Sequence, residues 1–188
     1  MKKFLVVEDS PIVVKIIKHI AKLDPLLHFD IAISFKEAKA LLEDGNTNQY
    51  LAAVVDLNLP DAPNGEVVDY TLSLQIPTIV LTGSYDEDKR TQMLEKPIVD
   101  YVVKESRFSY EYVLRLIHRL HKNQNIKVLV ADDSSTSRKV ITAMLQPHLY
   151  QVIEAEDGQQ ALSIIQKDPD IKLLITDYNM PVMNGFDL

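Results

Sequence analysis

The sequence predicts an α/β protein: a doubly wound parallel sheet of five strands, followed by the first half of a second sheet built the same way. Three observations carry this. Short apolar runs alternate along the chain with amphipathic stretches, as in strand–helix–strand crossovers. The runs are continuous rather than alternating, which suits strands buried on both faces. The chain also repeats itself, KFLVVEDS at 3–10 matching KVLVADDS at 127–134.

Each element has a local reason. After the first strand, PIVVKIIKHIAKL (11–23) shows helical periodicity, with Pro11 suited to a first turn. FDIAIS (29–34) reads as the second strand. Ser34 and Glu37 then have capping-box spacing for a helix over SFKEAKALLED, 34–44. LAAVVD (51–56) is the third strand, followed by a helix over 65–74. IPTIVLT (76–82) is the fourth, followed by a polar helix over about 86–95. VDYVV (99–103) is the fifth, followed by a helix over 107–121. In that helix Tyr110, Val113, Leu114, Ile117 and Leu120 form a stripe to be buried. His118 and His121 share a face, but no third ligand suggests itself, so they read as surface or packing residues. The polar KNQN (122–125) links the copies. The second copy continues with the helical STSRKVITAMLQPHL (135–149) and the strands YQVIEA (150–155) and KLLITD (172–177). The domain reading is 1–122, a linker at 123–125, and 126–188, the last without counterparts of the fourth and fifth strands.

Composition narrows the function. The 188 residues include 46% apolar and 25% charged side chains, enough for packed cores. A net charge of −7 argues against direct nucleic-acid binding, which needs clustered Lys and Arg. There is no cysteine, so disulfides and thiolate metal sites are excluded. No apolar run approaches the roughly 20 residues that span a bilayer. A cytoplasmic protein without membrane contact is expected.

The functional signal lies at the strand ends. In parallel sheets, ligand-binding groups gather beyond the carboxyl ends of the strands. Glu8 and Asp9 end strand one, Asp56 strand three, Thr82 strand four and Lys104 strand five, so all five converge on one rim although distant in sequence. Three close carboxylates repel unless a cation sits among them, and hard oxygen ligands suit Mg²⁺. Such a site can receive a phosphoryl group, with a hydroxyl and an ammonium on its oxygens and one Asp as nucleophile forming an acyl phosphate.

This arrangement resembles the receiver (CheY-like) domain of two-component response regulators, and the chain resembles two of them in tandem. The resemblance implies a flavodoxin-like sheet of order 2-1-3-4-5. It makes Asp56 the acceptor of phosphate from a histidine kinase or histidine phosphotransfer protein. Glu8 and Asp9 become the metal acids, with Asn58 supplying a backbone carbonyl to Mg²⁺. Thr82 and Lys104 hold the phosphoryl group, and Tyr101 takes the place of a switch aromatic. In the second copy Asp132, Asp133, Asp177 and Asn179 take the corresponding places. Tandem receivers of this kind often precede a GGDEF-type diguanylate cyclase, so an output domain or partner protein is expected. This segment alone would then do no more enzymology than its own phosphorylation and dephosphorylation.

The pattern also departs from the family. The second copy has the usual Asp-x₃-Pro-x₃-Gly spacing, DYNMPVMNG, whereas the first has one extra residue, DLNLPDAPNG. Glu105 replaces the common Pro after Lys104, and the Lys96-Pro97 dipeptide lies too early to substitute. The altered loop leaves open a second function, a phosphorylation-independent docking or dimerisation module. A dehalogenase-type phosphatase would need an Asp two residues after the nucleophile, where Asn58 and Asn179 stand. The absent half of copy two leads to the expectation of a longer protein, or of two chains completing one another as a homodimer.

Overall fold

The computed structural model describes residues 2–22, 27–43, 46–83 and 86–188. The expected helix ends at Leu23 and Asp44 lie outside these residues. The chain forms two compact units, Met1–Leu120 and His121–Leu188.

The first unit contains β1 (Lys3–Val7), α1 (Pro11–Ala21), β2 (Phe29–Ala32), α2 (Phe35–Leu42), β3 (Tyr50–Asp56), α3 (Glu66–Ser73), β4 (Thr78–Thr82), α4 (Glu87–Leu94), β5 (Asp100–Val103) and α5 (Arg107–Asn123) up to Leu120, the last residues of that helix belonging to the second unit. The strands form one parallel sheet of order β2-β1-β3-β4-β5, as the sequence predicts. Every residue of the central β3 is buried, which is why its sequence is apolar up to the closing Asp56. Leu5, Val7, Val55, Leu57, Val67 and Val80 belong to the core on one side of the sheet. The predicted stripe of α5, from Tyr110 to Leu120, is buried.

The helix starts follow from capping. Ser10 accepts from the Val13 N–H, with Pro11 at the first helical position. Ser34 accepts from the Glu37 N–H at 3.2 Å. The Glu37 carboxylate reaches back to the Ile33 N–H at 2.9 Å, one residue before the cap. Some boundaries differ from the sequence reading. Strand four begins at Thr78 rather than Ile76 because α3 ends in a Schellman motif. Gln75 there is left-handed, with φ 57°. Its N–H meets the Leu72 carbonyl, and the Ile76 N–H meets the Thr71 carbonyl. Helix α5 runs to Asn123, into the expected linker.

The second unit contains β6 (Lys127–Ala131), α6 (Ser135–Leu145), β7 (Gln151–Ala155), α7 (Gly158–Lys167) and β8 (Ile171–Thr176), its parallel sheet ordered β7-β6-β8. Within it the buried Asn123 donates to the His148 carbonyl at 3.0 Å. Among the described residues β8 pairs only with β6. The duplication extends to a flaw in pairing: the register shifts between Lys3 and Phe4 against β3, and again between Lys127 and Val128 against β8.

The two copies part at the loop after the third strand. In the second, the Met183 N–H donates to the Pro181 carbonyl at 2.7 Å. This three-residue γ-turn places Val182 at φ 67°. In the first, the extra residue opens this into a four-residue turn. There the Ala62 N–H donates to the Leu59 carbonyl at 3.1 Å around Pro60 and Asp61. A left-handed conformation strains a β-branched residue. Val182 is 83% exposed, so its side chain repays little of that strain. Val182→Gly is therefore expected to stabilise the second unit by about 1 kcal/mol. Slower hydrogen exchange of the β6 amides would show it; unchanged or faster exchange would count against the strain.

Candidate functional site

The rim at the carboxyl ends of β1, β3, β4 and β5 collects all five groups that the sequence places there. Glu8, just past β1, is 1% exposed, and its Oε1 accepts from the Ser10 N–H at 3.1 Å. Asp9 beside it is exposed. Asp56 closes β3, buried, with Oδ1 accepting from the Asn58 N–H at 3.1 Å. Thr82, at the end of β4, is 0% exposed, and its carbonyl accepts from the Lys104 N–H at 2.7 Å, fixing the lysine at the end of β5. The Lys104 ammonium lies 2.7 Å from Glu8 Oε2 and 2.7 Å from Asp56 Oδ2.

Electrostatics follow from this burial. Desolvation pushes the Glu8 carboxyl above its ordinary value, opposed by the Lys104 hydrogen bond. Burial alone would lower Lys104, but its hydrogen bonds to Asp56 and Glu8 prevail and hold its ammonium above the usual lysine range.

Glu8, Asp9 and Asp56 each bring a carboxylate oxygen within 4.8 Å of the others. An all-oxygen set with one exposed member fits a hard divalent cation that keeps some of its waters, as Mg²⁺ does. Among the described residues this is the one such cluster of three or more. In the second unit Asp177 stands at the matching rim, its N–H donating to the Ala131 carbonyl at 2.8 Å. Asp132 Oδ1 accepts from the Ser134 N–H at 2.8 Å, as Glu8 does from Ser10. Asp133 and Asn179 are exposed there. The carboxylates of Asp132, Asp133 and Asp177 do not converge as those of the first unit do.

Tyr101, on β5, is buried in the core, and burial pushes its hydroxyl up while a hydrogen bond with Thr82 opposes. His118 and His121 belong to no cluster of three or more metal-ligating side chains among the described residues.

Two residues here escape sequence reading. Asp61, in the lengthened loop, accepts from the Phe35 and Lys36 N–H groups at 3.0 Å each, and so caps α2 from across the rim. These bonds hold its carboxyl below the usual range. A depressed carboxylate contributes stability above its ordinary value of 3.8, and that stability is lost as pH falls through the folded value. Asp61→Asn is thus expected to lower the melting temperature at neutral pH, with the two proteins converging in acid. A pH-independent difference would exclude the charge as its source. Lys89 is the other. Its ammonium lies 3.5 Å from Asn58 Oδ1, while Asn58 Nδ2 lies 3.4 Å from Thr82 Oγ1. A lysine in the first turn of a helix was the available signal.

Fold and rim together define a receiver-type α/β module. The profile of the response regulator receiver domain matches residues 128–188. A chemotaxis protein CheY homolog of Campylobacter jejuni subsp. jejuni is 48% identical over 64 residues, 34% of this chain and 49% of that protein. CheY1 of Helicobacter pylori is 50% identical over 64 residues, 34% of this chain and 52% of that protein. The chain thus spans about half the length of these curated relatives. A solved structure of a putative two-component system response regulator/GGDEF domain protein is 39% identical with a TM-score of 0.88, covering 100% of this chain and 75% of that one. The chain belongs to the two-component response regulators, with the receiver fold.

Proposed function

We propose that the first unit is a phosphorylatable switch in which Asp56 takes a phosphoryl group from a phosphohistidine of a histidine kinase or phosphotransfer protein. The observation that carries this is the meeting of Glu8, Asp9, Asp56, Thr82 and Lys104 on one rim, with Lys104 bonded to both buried acids. An Asp56 carboxylate oxygen attacks phosphorus as the phosphorus–nitrogen bond breaks; the imidazole leaves with that electron pair and takes a proton. Glu8, Asp9, Asp56 and the Asn58 carbonyl are assigned to Mg²⁺, which neutralises charge on the phosphoryl oxygens when bound. The Thr82 hydroxyl and Lys104 ammonium take the remaining oxygens, and Tyr101, beside Thr82, relays the change. Lys104 then exchanges a carboxylate for a phosphoryl oxygen, which alters the β4–β5 side of the unit.

The tandem arrangement, with receivers at 1–122 and 126–188 about a short linker, and an output of the GGDEF type, a diguanylate cyclase, are supported by the likeness over the whole chain to the response regulator/GGDEF protein. Asp177 is the corresponding acceptor of the second receiver, with Asp132, Asp133 and the Asn179 carbonyl assigned to its metal. No described helix is long and apolar enough to cross a membrane, which accords with a cytoplasmic setting. The deciding experiment is intact-mass analysis with Mg²⁺ and acetyl phosphate. One Mg²⁺-dependent phosphoryl adduct mapping to Asp56 supports the proposal; a folded, Mg²⁺-binding chain without it points to a docking module instead.

A further inference from the structure

The acceptor pocket is served by a second lysine that the roles above do not use. Lys89 stands in the first turn of α4, where its N–H donates to Asp86 Oδ1 at 3.0 Å. A cation there meets the positive end of the helix dipole, whereas its neighbours Glu87 and Asp88 obey the usual preference. Such a locally unfavourable choice is expected where a side chain serves a site. Its ammonium lies 3.5 Å from Asn58 Oδ1, and the other end of that amide, Nδ2, lies 3.4 Å from the buried Thr82 hydroxyl. The Asn58 backbone is itself tied to Asp56 through the 3.1 Å bond to Oδ1.

We propose that Lys89 is a positioning residue that sets the orientation of the Asn58 amide, turning its NH₂ rather than its carbonyl toward the phosphoryl pocket. This rests on the reading of Asp56 as acceptor. An ammonium has three donors and no acceptor, so the amide end beside Lys89 must be the oxygen. The Thr82 hydroxyl has a single hydrogen and also engages Tyr101, whereas the Lys89 ammonium can only donate. Lys89 therefore favours the orientation that turns Oδ1 toward its ammonium and Nδ2 toward Thr82. The choice matters because phosphoryl oxygens only accept: an NH₂ at that position binds them, and a carbonyl repels them. Asn58 thus serves through its side chain as well as through the backbone carbonyl assigned to the metal.

The test is the affinity of the full chain for beryllofluoride, a stand-in for the phosphoryl group, with Mg²⁺ present, alongside its affinity for Mg²⁺ alone. Lys89→Met is expected to weaken beryllofluoride binding about 3- to 10-fold, the worth of one hydrogen bond, while Mg²⁺ affinity stays unchanged. Lys89→Arg should restore most of the loss. In an Asn58→Ala background, Lys89→Met should add nothing, because the pair acts as one unit. An undiminished effect in that background would show Lys89 acting on the anion itself and overturn the proposal, as would no effect in the single variant. A wild-type chain that binds Mg²⁺ but no beryllofluoride would instead overturn the reading of Asp56, and this proposal with it.

Discussion

Asp56→Asn is expected to abolish phosphoryl uptake by the first unit while leaving its fold intact. The replacement keeps the shape and retains an oxygen to accept the Asn58 N–H, a bond that needs no charge. Lys104 keeps its 2.7 Å contact with Glu8, so no buried ammonium is left alone. What disappears is the carboxylate nucleophile, and a neutral amide cannot form an acyl phosphate under these conditions. Intact mass after acetyl phosphate and Mg²⁺, with proteolytic mapping, provides the check. Any phosphoryl group in the variant should map outside the first unit; one that still maps within it would show that another residue is the acceptor.

Lys104→Met should have the largest effect on stability. The ammonium is the shared partner of two buried carboxylates, and removing one member of such a set typically costs about 3–5 kcal/mol. Methionine keeps most of the volume, so the loss reports charge rather than a cavity. In chelator the variant should melt well below wild type. Saturating Mg²⁺ should then raise its melting temperature more than that of wild type, because the metal supplies the missing positive charge and no longer competes with an ammonium. Equal stabilisation of both proteins by Mg²⁺ would mean that metal and lysine do not share these carboxylates.

Sequence reading reached the sheet and the five rim groups for one reason. Continuous apolar runs identify buried parallel strands, and polar residues that terminate such runs must lie at the carboxyl ends. It did not reach Asp61, whose two bonds to the start of α2 bridge segments distant in sequence and leave no periodic trace. Nor did it place the start of β4, since glutamine, unlike glycine, does not announce the left-handed conformation that Gln75 adopts. The extra residue after Asp56 was visible, but not that it relaxes the γ-turn strained at Val182. The rim of the second unit shows that matching residue types at matching positions do not by themselves bring carboxylates together.

The doubly bonded Lys104 has a further consequence, for ionic valence. The three carboxylates and the Lys104 ammonium together carry two excess negative charges, with Lys89 standing beside the same pocket. A divalent ion would offset that remainder before any phosphodonor arrives. Lys104 thus sets how much of the acid charge is left for a metal ion to offset.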